Sequence, residues 1–172
     1  MEHQRGKVII GCDVIAADKL SEKLVSMLPP ALHGRPSATL RLGLREMLIN
    51  AIEHGSLEIG FERKSVETAG MDYLEFLLKR QKDPEYAGRT VEVEYHISPR
   101  KAIFRISDQG RGFDHKHARS TAQQGENDLD LAHGRGIRMT LRIFDKVRYN
   151  EKGNRVTLLK KYGAATQSAQ AS

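Results

Sequence analysis

The stretch that most limits how this chain can fold is "TVEVEYHISPRKAIFRIS", residues 90–107. Val91, Val93, Tyr95 and Ile97 alternate with polar residues, Pro99-Arg100 turns the chain, and "KAIFRIS" supplies a second strand. Such a period of two predicts an antiparallel hairpin with one apolar face, and that face must be covered by helices.

Helices are available on both sides of it. A first strand in "KVIIGCDV" precedes "AADKLSEKLVSML", where Leu20, Leu24, Met27 and Leu28 recur at helical spacing until Pro29 and Pro30 stop the helix. Ser37 is positioned to cap a second helix running to about Gly55. Residues 56–89 read as an excursion with a short helix in "MDYLEFLLKRQ", closed by Pro84. Beyond the hairpin, residues 114–133 form a polar, glycine-containing lid, and a helix is expected from about Arg135 to Phe144. "DKVRYNEKGNRVTLLKKY" then gives two strands around a Glu-Lys-Gly-Asn turn. This order predicts one α/β (α+β) domain over residues 1–162, a two-layer sandwich with helices on one face of a mixed, mainly antiparallel sheet. The tail at 163–172 has nothing to bury and is expected to be disordered.

Composition narrows the function. Of 172 residues, 39% are hydrophobic and 29% charged, as in water-soluble globular proteins. No apolar run is long enough for a bilayer, and no cleavable leader is recognisable, so a cytoplasmic protein without a membrane partner is expected. Cys12 is the lone cysteine and cannot form an intrachain disulfide. The net charge is +6, yet the basic residues are scattered and Trp is absent. That pattern suits attraction of a phosphorylated ligand or an acidic protein face better than nucleic acid. "DHKH" at 114–117 lacks a second compact ligand cluster, so His115 and His117 read as part of the wet lid and not as a metal site.

Within the second helix, Leu40, Leu44, Met47, Leu48 and Ala51 gather on one side, and Leu42, Ile49 and Ile52 on much of the other. Glu46, Asn50 and His54 form a polar strip between them, about 80° wide, and Gly43 shares it. The strip is either a wet stripe or the border of a cavity. In the second case Glu46 could serve as a general base and Asn50 as an oxygen ligand for Mg2+.

Glycine pairs supply the rest. "DQGRGF" at 108–113 follows a strand: Asp108 offers a carboxylate to an amine, and Gly110 and Gly112 keep Cβ atoms out of a pocket wall. "HGRGI" at 133–137 precedes a helix, so Gly134 and Gly136 are expected to open it, its free amides facing a phosphate with Arg135 alongside. Neither G-x-x-x-x-G-K-[ST] nor G-x-G-x-x-G occurs, so a different nucleotide fold is required.

In order, "E-x-x-x-N-A-x-x-H-G", "D-x-G-x-G-F" and "H-G-R-G-I" resemble the N box and the two glycine boxes of the GHKL (Bergerat-fold) ATPases, the superfamily of histidine kinases and DNA gyrase B. Within it, the chain is most similar to the anti-sigma-factor serine kinases of the RsbW and SpoIIAB type over residues 8–162, apart from much of 56–89. It also resembles the kinase-like domains of some response-regulator and SpoIIE-type phosphatase proteins, to which such a domain is fused or paired.

The resemblance implies ATP and Mg2+ as cofactors. Asn50 would hold the metal, Asp108 the adenine amine, and Gly110, Gly112, Gly134 and Gly136 would line the nucleotide. His54, Phe113, Arg135 and Ile137 belong to the same motifs, Thr157 would support the adenine site, and Glu46 would be the base. It further implies a STAS-domain anti-anti-sigma protein as substrate, a sigma factor as competing partner, and a homodimer. The long excursion at 56–89 departs from the stand-alone kinases and bears on the partner surface, where packing plus partner contact is expected. The competing readings are an ATP-binding module that sequesters a regulator without phosphorylating it and a histidine-kinase catalytic domain. The latter would need a phosphoacceptor histidine before the N box, and neither His3 nor His33 sits on a suitable helical hairpin.

Overall fold

A computed structural model of the chain describes residues 3–60, 72–112 and 131–162. Phe113, the lid up to residue 130 with His115 and His117, and the tail 163–172 lie outside these residues, as do the side chains of 131–135.

Among the described residues, five strands form one sheet: β1 (Gln4–Gly11), β2 (Thr90–Ile97), β3 (Lys101–Asp108), β4 (Lys146–Tyr149) and β5 (Arg155–Lys161), ordered β1-β2-β3-β5-β4. Every pairing is antiparallel, so no parallel component joins the sheet among the described residues. The expected hairpin is β2–β3, with Val93 opposite Ile106 and Tyr95 opposite Phe104. Val91, Val93, Ile97, Ala102, Phe104, Ile106 and Leu158 are buried on its inner side.

The covering layer contains α1 (Val14–Ser26), α2 (Arg35–Asn50) and α4 (Leu131–Ile143), with α2 touching both of the others. The Asp13 side chain caps α1 by accepting from the Ile15 amide at 2.9 Å. Asp18 on α1 takes Arg41 and Arg45 of α2 at 3.0 and 3.1 Å. Leu44, Leu48 and Ile52 are fully shielded from solvent, and Phe104 meets Phe144 edge-on with ring centroids 6.5 Å apart. Each such buried apolar side chain contributes about 1.5–3 kcal/mol relative to exposure. The excursion contributes α3 (Tyr73–Lys82), which packs through buried Leu77 and ties back through Arg80, whose Nε donates to the Leu57 carbonyl at 3.0 Å.

Several local expectations change. Ser37 does not cap α2. Gly34 does, because φ of 89° at Gly34 and Pro36 in the first turn start the helix earlier, and Ser37 Oγ donates back to the Gly34 carbonyl at 2.8 Å. Gly43, although it shares the polar strip, faces a helix contact. A Cβ there would meet Phe144 at 3.0 Å and Ile143 at 3.1 Å, so it lets α2 and α4 approach. The second apolar face is only partly covered, since Leu42 is 45% exposed. Beyond Asn50 the helix continues as a π-wound segment, Ala51–Ser56, with the Leu57 amide donating to Ile52 at 2.8 Å.

Candidate nucleotide site

The wide turn of the π segment sets up the site. Its last residue, Ser56, is fully buried; its Oγ donates to the Thr90 carbonyl at 2.9 Å and accepts from the Gln109 amide at 3.2 Å. One hydroxyl therefore fastens the helix end to the start of β2 and to the residue following β3. The clamp seats Gly55 directly against Asp108, where any Cβ would run into the carboxyl group. Gly110 lies equally close to the Gly55 carbonyl. Gly112, at φ of 84°, faces the Lys152 carbonyl. These glycines serve close approach more than they bare a pocket wall, although Gly55 and Gly112 also border the cavity.

Beside this contact is a cavity of about 480 Å3. Asn50, His54, Asp108, Gly112 and Ile137 from the sequence-based assignment line it, with Met47, Ile106 and Val156 as apolar wall. Asp108 Oδ1 accepts from the Gly110 amide at 2.9 Å, and its backbone is held by Asn154. Burial pushes the carboxyl up to about 6, against the Gly110 hydrogen bond and the Lys152 charge, which pull it down. A carboxylate so desolvated gains from a donor that enters the cavity. His54 Nδ1 lies 2.7 Å from the Ile59 carbonyl, which sets the ring orientation.

Glu46 is next to the cavity without lining it. Its Oε2 would be 3.0 Å from a Cβ at Gly136, with Asn50 Nδ2 at 3.7 Å, so Gly136 admits both polar side chains between α2 and α4. Arg45 Nη1 is 3.9 Å from Glu46 Oε1. Gly134 and Gly136 do not open the helix. It starts at Leu131, which puts Gly136 inside the hydrogen-bond ladder, its carbonyl accepting from Thr140 Oγ1 at 2.8 Å. Thr157 is also misplaced by the sequence reading: it pairs with Arg105 and Arg148 on the far face of the sheet, while its neighbour Val156 reaches the cavity.

Residues 78–160 match the family described as histidine kinase-like ATPase domain. No curated protein matches the chain. The family match supports the GHKL superfamily and an ATP-using, kinase-like activity. It runs from within α3 to β5 and takes in Asp108, Gly110, Gly112, Gly134, Arg135, Gly136, Ile137 and Thr157. Glu46, Asn50 and His54 precede it, so their place in the site rests on the geometry that carries α2 and its π segment onto Asp108.

The cavity also has walls that sequence reasoning missed. Glu58, at φ of 49°, pairs with Arg89 at 3.1 Å and Arg111 at 3.3 Å, and Tyr86 packs under the guanidinium groups of Arg80 and Arg89 at 4.1 and 4.7 Å. Glu58 and Tyr86 belong to the excursion and carry no motif. Gly55 ends the quoted "H-G" pair and Arg111 sits between two glycines, so both had a signal. Tyr149 looked like an ordinary strand residue; burial pushes its hydroxyl up to about 12, with the Asp108 charge acting in the same direction.

No helix among the described residues is long and apolar enough to cross a membrane.

Proposed function

We propose that the chain is an ATP-dependent serine/threonine protein kinase of the anti-sigma-factor type, acting on a STAS-domain antagonist protein in partner-switching regulation of a sigma factor. The observation that carries this reading is the juxtaposition of the Asp108 carboxylate with Gly55 at the cavity and, beside it, of Glu46 and the cavity-lining Asn50 with Gly136. The residues suit ATP: a desolvated carboxylate for the adenine amine, an apolar wall of Met47, Ile106, Ile137 and Val156 for the base, and an amide oxygen at Asn50 for Mg2+. Bound ATP with its metal would supply the transferable phosphoryl group and neutralise its charge.

The chain's own contribution is positional. Asp108 accepts the adenine amino hydrogen and orients the base. Asn50, one helical turn on from Glu46, would hold the metal. Glu46, side chain partly exposed at 32%, takes the proton of the incoming serine or threonine hydroxyl. Homodimerisation and a cytoplasmic setting follow from the same family reading.

Transfer of labelled phosphate from Mg-ATP to a STAS-domain protein, followed with wild type and Glu46→Ala, tests it. Wild type should transfer to a serine or threonine, and Glu46→Ala should bind ATP with unchanged affinity and lose at least about a hundredfold in rate. ATP binding without transfer to any STAS protein would replace the kinase by a sequestering module.

A further inference from the structure

The sheet has a second face, away from helices and cavity. By register, Arg5, His96, Ile103, Leu159 and Lys146 form one row across it, and Lys7, Glu94, Arg105, Thr157 and Arg148 the next. Lys101 and Lys161 face one another at the end of β3 and β5. Charge is distributed unevenly over this surface. On the β1–β2 half, Glu92 answers Lys7 at 2.9 Å, and Glu94 reaches across to Arg105 of β3 at 2.7 Å. On the β3-β5-β4 half, Lys101, Lys146, Arg148 and Lys161 are exposed and make no ion pair with a carboxylate among the described residues. Asp145, beside them, is engaged by the Lys161 amide at 2.6 Å and approached by Lys160.

In this basic half Ile103 and Leu159 sit opposite one another and half-buried, with Lys146 next to Leu159 in the register and Lys101 and Lys161 two residues along. We infer that the β3-β5-β4 half of the outer sheet face docks an acidic protein surface, one that presents an apolar side chain to the Ile103–Leu159 pair and carboxylates to Lys101, Lys146, Arg148 and Lys161. A protein partner fits because an apolar centre with a charged rim is the anatomy of protein interfaces. Single-stranded nucleic acid would call for stacking platforms, and this face carries no Phe, Tyr or Trp among the described residues. A bilayer would call for exposed apolar side chains, whereas Ile103 and Leu159 are half-buried. Ile106 and Val156, which wall the cavity, lie on the inner side of the sheet, opposite to the Ile103–Leu159 pair. The inference does not depend on the kinase reading.

The test uses the full chain and fluorescent probes: a helical peptide with glutamates around central leucines, the same peptide with serine for leucine, a short DNA duplex, and phosphatidylserine vesicles. The leucine peptide should bind best and weaken with salt. Arg148→Glu should weaken it about tenfold, while Lys7→Glu, which changes net charge equally on the other half of the face, should change it less than about twofold. Thermal melting of each variant checks that the fold is kept, and Lys146→Glu gives a second reading of the same patch. Equal losses in both variants would reduce the effect to net charge and overturn the inference. So would equal binding of the serine peptide, tighter Arg148-dependent binding of DNA or vesicles, or no binding of the leucine peptide.

Discussion

The two sides of the site are built in opposite ways. At the Asp108 end, backbone and a short carboxyl side chain meet without slack: Gly55 abuts Asp108, Gly110 abuts Gly55, and Ser56 fastens the group to two strands. On the Glu46 side, the space between α2 and α4 is kept by Gly136 and holds the polar side chains of Glu46 and Asn50. A rigid end suits recognition of a flat base, and a polar side suits phosphate, metal and an incoming hydroxyl.

Gly55→Ala should break this contrast most severely. The added methyl has no room against the Asp108 carboxyl, so the π segment or the strand end must shift, costing about 1–3 kcal/mol of stability. Thermal melting and ATP titration should show a lowered Tm and loss of measurable binding. Retention of wild-type affinity would mean that the tight end does not recognise the base.

Asp108→Asn separates recognition from stability. Burial raises the folded-state carboxyl to about 6 from 3.8, so its favourable contribution is complete below about pH 4 and is lost as pH rises through about 6. At pH 7 the variant should therefore melt at or above the wild-type temperature, while ATP affinity falls about tenfold or more. The wild-type advantage in ATP affinity should itself grow between about pH 5 and 7 as Asp108 ionises, then level off. Subtracting the variant's pH profile removes the ionisation of ATP from that comparison. A flat difference would show that Asp108 does not contact the base.

The smallest effect is expected from Gly43→Ala, on the Glu46 side. The new methyl crowds Phe144 and Ile143 by tenths of an ångström, while alanine favours the helix. These effects oppose one another, so stability should stay within about 1 kcal/mol and ATP affinity should be kept. A loss of ATP binding in this variant would show that the α2–α4 spacing is as exacting as the Asp108 contact.

Legibility followed the range of the interaction. The strands were readable because side chains alternate along them, and so were the helices, whose ends moved by a few residues where Gly34 rather than Ser37 took the cap. Asn50, His54 and Asp108 were picked out by their motif spacing, and the fold brings all three to the wall of one cavity. Thr157 was misjudged because a shift of one residue in a strand changes the face, and Val156 has the cavity side. Glu58 and Tyr86 gave no warning, since their roles arise only where α3 and the following loop return to the π segment.

By itself, the sequence determined what is encoded locally: the order of elements, the apolar face of the sheet, and the polar residues and glycines available to a site. Tertiary structure alone decided which of them meet. The close seating of Gly55 on Asp108 joins residues far apart in the chain, and it depends on a π turn and a shared hydroxyl clamp whose geometry no local periodicity specifies.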